Sequence, residues 1–133
     1  MKIIVAIDAS PYAARVLEKA ISSAKNSGAE LCILSVAPIM DDLPAGMNEK
    51  FKTAAVNVVE KAFAKALAAG LTVLTRVEHS ISTAESIVAL ADEWSADLIV
   101  VGHKGKSNLE RFLVGSVAQQ VVAHAGTSVL VVK

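Results

Sequence analysis

Leu98-Ile-Val-Val-Gly102-His-Lys-Gly105-Lys-Ser-Asn-Leu-Glu-Arg-Phe-Leu-Val-Gly115-Ser116-Val117 reads as a strand, a glycine-bearing loop and the start of a helix. Leu98 to Val101 is an uninterrupted apolar run, the pattern of a strand buried on both faces. It breaks at Gly102. Gly105 follows three residues on, and Gly115 with Ser116 comes ten residues later. Val117, Val121, Val122 and Ala125 then form a short helical stripe. Glycine lets backbone N–H groups approach an anion closely, and a helix N-terminus adds about half a positive charge. Ser116 is placed to cap that helix or to bind an oxygen. Lys104, Lys106 and Arg111 add three cations to the same loop. The chemistry suggested is phosphate binding; the competing reading of Gly102 and Gly105 is a tight turn after a buried strand.

Upstream, Lys2 to Ile7 is a β-branched apolar run that ends at Asp8. Ser10 and Pro11 then offer a cap and a first helical residue. Ala13, Val16, Leu17, Ala20, Ile21 and Ala24 fall at helical spacing up to Gly28. Leu31 to Val36 reads as the second strand. Ala37 to Gly46, with Pro38, Asp41, Asp42 and Pro44, is a long loop. Met47 to Ala69 predicts a long helix with Phe51, Ala55, Val58 and Ala62 inward. Leu71 to Val77 predicts a strand at an edge, with one partly wet face. Ser82-Thr-Ala-Glu85 is a capping box, opening a helix that buries Ala84, Ile87, Val88 and Ala91. Asp97 to Val101 is the fourth strand and Ser128 to Val132 the fifth.

Apolar strands alternating with amphipathic helices predict an α/β domain with an open five-stranded parallel sheet and helices on both faces. If the fourth strand returns beside the first, the order is 3-2-1-4-5 and the winding reverses between them. Ligands bind outside the strand C-termini at such a reversal. Asp8 and Gly102 end those two strands, so an acidic strand end and the glycine loop would share one crevice. Asp8 there could hold ribose hydroxyls, hold Mg²⁺ through water, or serve as a turn aspartate. Ser10 could cap the helix or touch ligand, and His103 lies inside the loop, where it could meet phosphate. His79 and His124 read as surface or helix-end residues, and Cys32 and Trp94 as packing.

The chain has 133 residues, one domain over 1–133, with 53% hydrophobic and 20% charged residues. Thirteen basic and thirteen acidic side chains balance, which gives no support for nucleic acid or an anionic membrane as partner. No apolar run approaches the ~20 residues of a membrane span. The single Cys32 fits a reducing cytosol, and Met1-Lys2 leads straight into a strand with no leader. A cytoplasmic protein is expected. No catalytic constellation is visible: there is no His and Cys metal pattern, no nucleophile elbow and no general base in the loop except His103. The Walker pattern needs a glycine separated by four residues from the Gly105-Lys106-Ser107 unit, and that position is Val100. The dinucleotide pattern Gly-x-Gly-x-x-Gly is absent as well.

What stands is Gly102-x2-Gly105-x9-Gly115-Ser116, and this spacing resembles the ATP-binding signature of the universal stress protein family. The resemblance extends to Val5-Ala-Ile-Asp8-Ala-Ser10, Leu34-Ser-Val36-Ala, Ala96-Asp97-Leu98-Ile-Val-Val-Gly102 and Val129-Leu-Val-Val132. It implies a Rossmann-like fold of the adenine nucleotide alpha hydrolase type, binding ATP with Mg²⁺. Asp8 would face ribose or phosphate, and Ala6 and Val36 would lie near adenine. Gly102, Gly105, Gly115, Ser116 and Val117 would bind ribose and phosphates through backbone N–H groups. His103 and Lys104 stand where the family often has Ser-His or Ser-Arg, and Ala118 where some members carry a hydroxyl residue. The resemblance also implies a homodimer paired through the last strand, here Val129, Leu130, Val131 and Val132. Three functions follow: an ATP-binding regulatory protein of the stress response with little or no turnover and a protein partner; a slow ATPase or autophosphorylating enzyme using Ser107 or Ser116; or a nucleotide-free adaptor. The intact signature argues against the third, and the missing catalytic base against the second.

Overall fold

The computed structural model of the chain describes residues 1–104 and 114–133. The strands are β1 (Lys2–Ala6), β2 (Glu30–Pro38), β3 (Val73–Ser80), β4 (Leu98–Gly102) and β5 (Ser128–Val132). The helices between them are α1 (Ala13–Ser27), α2 (Met47–Ala68), α3 (Thr83–Trp94) and α4 (Ser116–His124). The five strands pair in parallel in the order β3-β2-β1-β4-β5, the order expected from the sequence. β1 is central, and its Ile3, Ile4 and Val5 are wholly buried.

Helices cover both faces because the strands are apolar on both. Ile3, Val5, Ile33 and Val100 pack with Val16, Leu17, Val59 and Ala62 of α1 and α2. On the other face Ile4, Leu34, Ile99 and Val101 pack with Ile87, Leu90, Ala118 and Val121 of α3 and α4. β3 lies at one edge with Leu74, Thr75 and Arg76 exposed, as its mixed composition predicts. Gly28 ends α1 in the left-handed region at φ 69°, where a side chain would be strained, and its N–H donates to Ala24 O.

Local packing corrects several expectations. β1 stops at Ala6 and α1 starts at Ala13, so Ser10 is not the cap and Pro11 not the first helical residue. The Ser10 N–H donates to Asp8 Oδ1 at 2.9 Å, and the Ser10 carbonyl accepts from Ala13 N–H. This turn holds residues 8–12 out of the helix. In α2 the inward stripe is Ala55, Val59, Ala62 and Ala66, with Phe51 and Val58 only partly buried. In α3, Leu90 is buried and Val88 only partly so. Ser82 Oγ accepts from Glu85 N–H at 3.3 Å, but the Ser82 N–H donates to Ser80 Oγ, so half of the expected box forms. In α4 the inward residues are Ala118 and Val121, flanked by the partly buried Val114 and Ala125, while Val117 is 38% and Val122 55% exposed. Packing against α3 and the sheet selects the side of α4 that carries Ala118.

Trp94 is a packing residue, with Lys2 Nζ donating to its carbonyl and lying 5.3 Å from its ring. Cys32 is buried on the α3 side of the sheet. Burial pushes its thiol from 9.0 up to about 11, against a smaller downward pull from the Arg76 guanidinium. The unfolded chain therefore releases this proton first as pH rises. The stabilisation is whole below about pH 9 and is lost through the window up to about 11. Over that window wild type should lose about 2 kcal/mol more than Cys32→Ala, measured by urea midpoints. Equal slopes in the two proteins would refute the burial account.

Candidate functional site

The reversal of winding between β1 and β4 opens a cleft of about 390 Å³ at their C-terminal ends. Every described residue that the sequence singled out for a ligand lines it: Ala6, Asp8 and Ser10 after β1, Val36 from β2, Gly102, His103 and Lys104 after β4, and Gly115, Ser116 and Val117 at α4. Gly105, Lys106, Ser107 and Arg111 lie outside the described residues. The walls that the sequence reading missed include Tyr12, Pro38, Thr83 and Ile87. Tyr12 and Thr83 sit where α1 and α3 begin, just beyond strand C-termini. That position was a usable signal, although no motif marks it.

Gly102 gives the cleft its close backbone approach. A Cβ there would lie 3.1 Å from Lys104 O and 3.2 Å from Val16 Cγ2. One neighbour is backbone and the other a buried β-branched side chain, so neither yields easily. Gly102→Ala should cost about 1–2 kcal/mol, read as a drop in the urea midpoint. An unchanged midpoint would show that the turn has room for a side chain.

His103 ties the site together through its backbone. Its N–H donates to Val132 O at 2.7 Å, and its carbonyl accepts from Gly115 N–H at 2.8 Å. The end of β4 is thereby fixed to the end of β5 and to the start of α4. The His103 side chain is only 8% exposed, lines the cleft and has no hydrogen-bond partner among the described residues.

α4 begins at Gly115, which supplies no side-chain cap. Ser116 is the first helical residue, so its hydroxyl does not cap the helix. The N–H groups of the first turn point out of the helix end and lack intrahelical acceptors, and together with the helix dipole they favour an anion. Gln119 Nε2 donates to Val114 O and steadies the turn entering the helix. Asp8 has one carboxylate oxygen committed to the Ser10 N–H. No cluster of three or more His, Cys, Asp or Glu suited to a metal occurs among the described residues. Apolar walls from Ala6, Val36, Pro38 and Ile87 face this polar end. The arrangement can hold a flat apolar group at one end and an anion at the other.

The universal stress protein family model matches residues 1–133. A universal stress protein of Methanocaldococcus jannaschii is 34% identical over 140 residues, covering 99% of this chain and 81% of its own. A universal stress protein solved in complex with cAMP is 30% identical with a TM-score of 0.78, covering 100% of this chain and 97% of that one. The Archaeoglobus fulgidus universal stress protein solved in complex with dAMP is 27% identical with a TM-score of 0.77, covering 100% and 98%.

Proposed function

The chain belongs to the universal stress protein family, and we propose that it is a nucleotide-binding regulator of the stress response whose ligand is ATP. The observation that carries this reading is the uncapped N-terminus of α4 facing the Gly102–His103 turn across one cleft. Relatives solved with cAMP and dAMP support an adenine nucleotide as the class of ligand. Adenine would lie between Ala6 and Val36, and the phosphates at Gly115, Ser116 and Val117. Asp8 retains one carboxylate oxygen for ribose or for a water on Mg²⁺. A magnesium ion bound mainly by phosphate oxygens needs one or two carboxylates at most, and Asp8 meets that need. The ion would neutralise phosphate charge.

Nucleotide binding would set the conformation or partner choice of the protein, with little or no turnover. A thermal melt with and without Mg-ATP tests the binding. Native-state binding at a hundredfold excess over Kd should stabilise the protein by about 2.7 kcal/mol. No shift in a folded, nucleotide-free protein would overturn the reading and leave the adaptor function. Steady phosphate release that is lost in Gly115→Ala would replace it with an ATPase.

We also propose a homodimer paired through β5. Its edge is unpaired by any described strand, and Val129, Leu130 and Val131 are only partly buried. Sedimentation equilibrium should give twice the 13.8 kDa chain mass, and Val129→Lys, which sets like charges near each other across the axis, should shift it toward monomer. A monomeric wild type at micromolar concentration would remove this interface.

A further inference from the structure

Two polar side chains are buried among the described residues, Ser35 and His103. Ser35 lies inside β2, whereas His103 follows β4 and lines the cleft. No described group hydrogen-bonds its ring, although only 8% of the residue is exposed. Yet no fully enclosed side-chain nitrogen or oxygen lacks a partner among the described residues. The ring nitrogens of His103 therefore open onto cavity space rather than onto packed atoms. The His103 carbonyl accepts from Gly115 N–H at 2.8 Å, which places the His103 Cα at most about 5 Å from the nitrogen that opens α4. An unpartnered imidazole and an uncapped helix N-terminus thus border one cleft from directly bonded residues.

A phosphate oxygen accepts hydrogen bonds, and an imidazole offers one donor when neutral and two when protonated. Contact with phosphate therefore favours the protonated ring. The charged and titratable groups around His103 come from several elements. Asp8 and Tyr12 precede α1, Lys104 follows His103, and Arg15 and Lys133 border a second cavity that His103 also lines. Glu18 shares the adjoining groove with Arg15 and Lys133, and the start of α4 brings no titratable side chain to the cleft. Carboxylates, tyrosine, lysine and arginine ordinarily keep one charge between about pH 6 and about pH 8. Histidine is the side chain of this group that changes charge there. His79 and His124 are exposed and lie outside the cleft lining. We propose that the protonated His103 ring holds a phosphate of the nucleotide beside the α4 N-terminus, so that binding takes up a proton from solvent and tightens as pH falls. This rests on the nucleotide reading above and adds a side chain and a proton to it.

Isothermal titration with Mg-ATP at about pH 6 and about pH 8, in two buffers of different ionisation enthalpy, tests it. In wild type the Kd should be about tenfold lower at the acid end, with net proton uptake read from the buffer dependence of the heat. His103→Gln keeps a neutral donor and should bind within about twofold at the two pH values. Protonation of the ligand is common to both proteins and drops out of their difference. His79→Gln/His124→Gln should keep the full wild-type dependence. Binding by wild type with no proton uptake and no change with pH would sink this inference alone, whether or not His103→Gln folds. The same dependence in His103→Gln as in wild type would also overturn it, since the proton would then belong to another group. A folded protein that binds no Mg-ATP at either pH would sink the nucleotide reading with it.

Discussion

Gly115→Asp should fold at least as well as wild type and lose its response to Mg-ATP. Gly115 is the N-cap of α4 at φ −58°, ψ 152°, a backbone conformation open to any residue, and it offers no side-chain acceptor. Aspartate at an N-cap accepts from the N–H groups two or three residues on and complements the helix dipole, which stabilises by a few tenths of a kcal/mol relative to glycine. The same carboxylate would occupy the place proposed for a phosphate and repel it. The apo melting temperature should therefore hold or rise slightly. The ligand shift of about 2.7 kcal/mol, roughly 10 °C for a domain of this size, should vanish. Gly115→Asn supplies a neutral cap of the same shape and should retain part of the shift, which separates charge from bulk. A full ATP response in Gly115→Asp would place the phosphates elsewhere.

Ile4→Ala should cost about 2–5 kcal/mol, a large part of the stability of a single domain. Ile4 is wholly buried at the middle of the central strand, packed with Leu34, Ile87, Ile99 and Val101. Its neighbours belong to β2, β4 and α3, so collapse into the space would require several elements to move together. The loss should appear as a lower urea midpoint at unchanged slope. Ile81→Ala is the matched control. Ile81 is 83% exposed, and the same truncation there should stay within about 0.5 kcal/mol. A similar cost at both positions would mean that the measured effect is not burial.

Much of the site was legible because its parts carry backbone chemistry. Asp8 and Gly102 each end an apolar run, and the reversal of winding brings those two ends together. Gly115 and Ser116 open a helix whose first N–H groups face the same space. Tyr12, Thr83 and Ile87 were missed for a different reason. They reach the cleft through the placement of α1 and α3, and no motif marks them beyond the position of Tyr12 and Thr83 at helix starts. Of the two roles open to Ser10, the cap is excluded because α1 starts at Ala13 with Tyr12 before it, while Ser10 does line the cleft. Val117 and Val122 entered the expected buried stripe because both are valines. Ala118 lies inward instead, since a small residue lets α4 approach its neighbours.

The amino-acid sequence by itself determined the order of elements, the two-sided burial of the strands and the glycine spacing, because each follows from local periodicity or from the steric freedom of single residues. Tertiary structure alone decided which backbone groups meet. Lys2 N–H donates to Asp97 Oδ2 at 2.8 Å across 95 residues, and Asp97 N–H returns to Lys2 O. His103 N–H pairs with Val132 O, and Arg15 and Lys133, far apart in the chain, line one cavity. Such pairings are settled by the sheet register and the seating of helices on it, and those are set by the packing of the whole core at once.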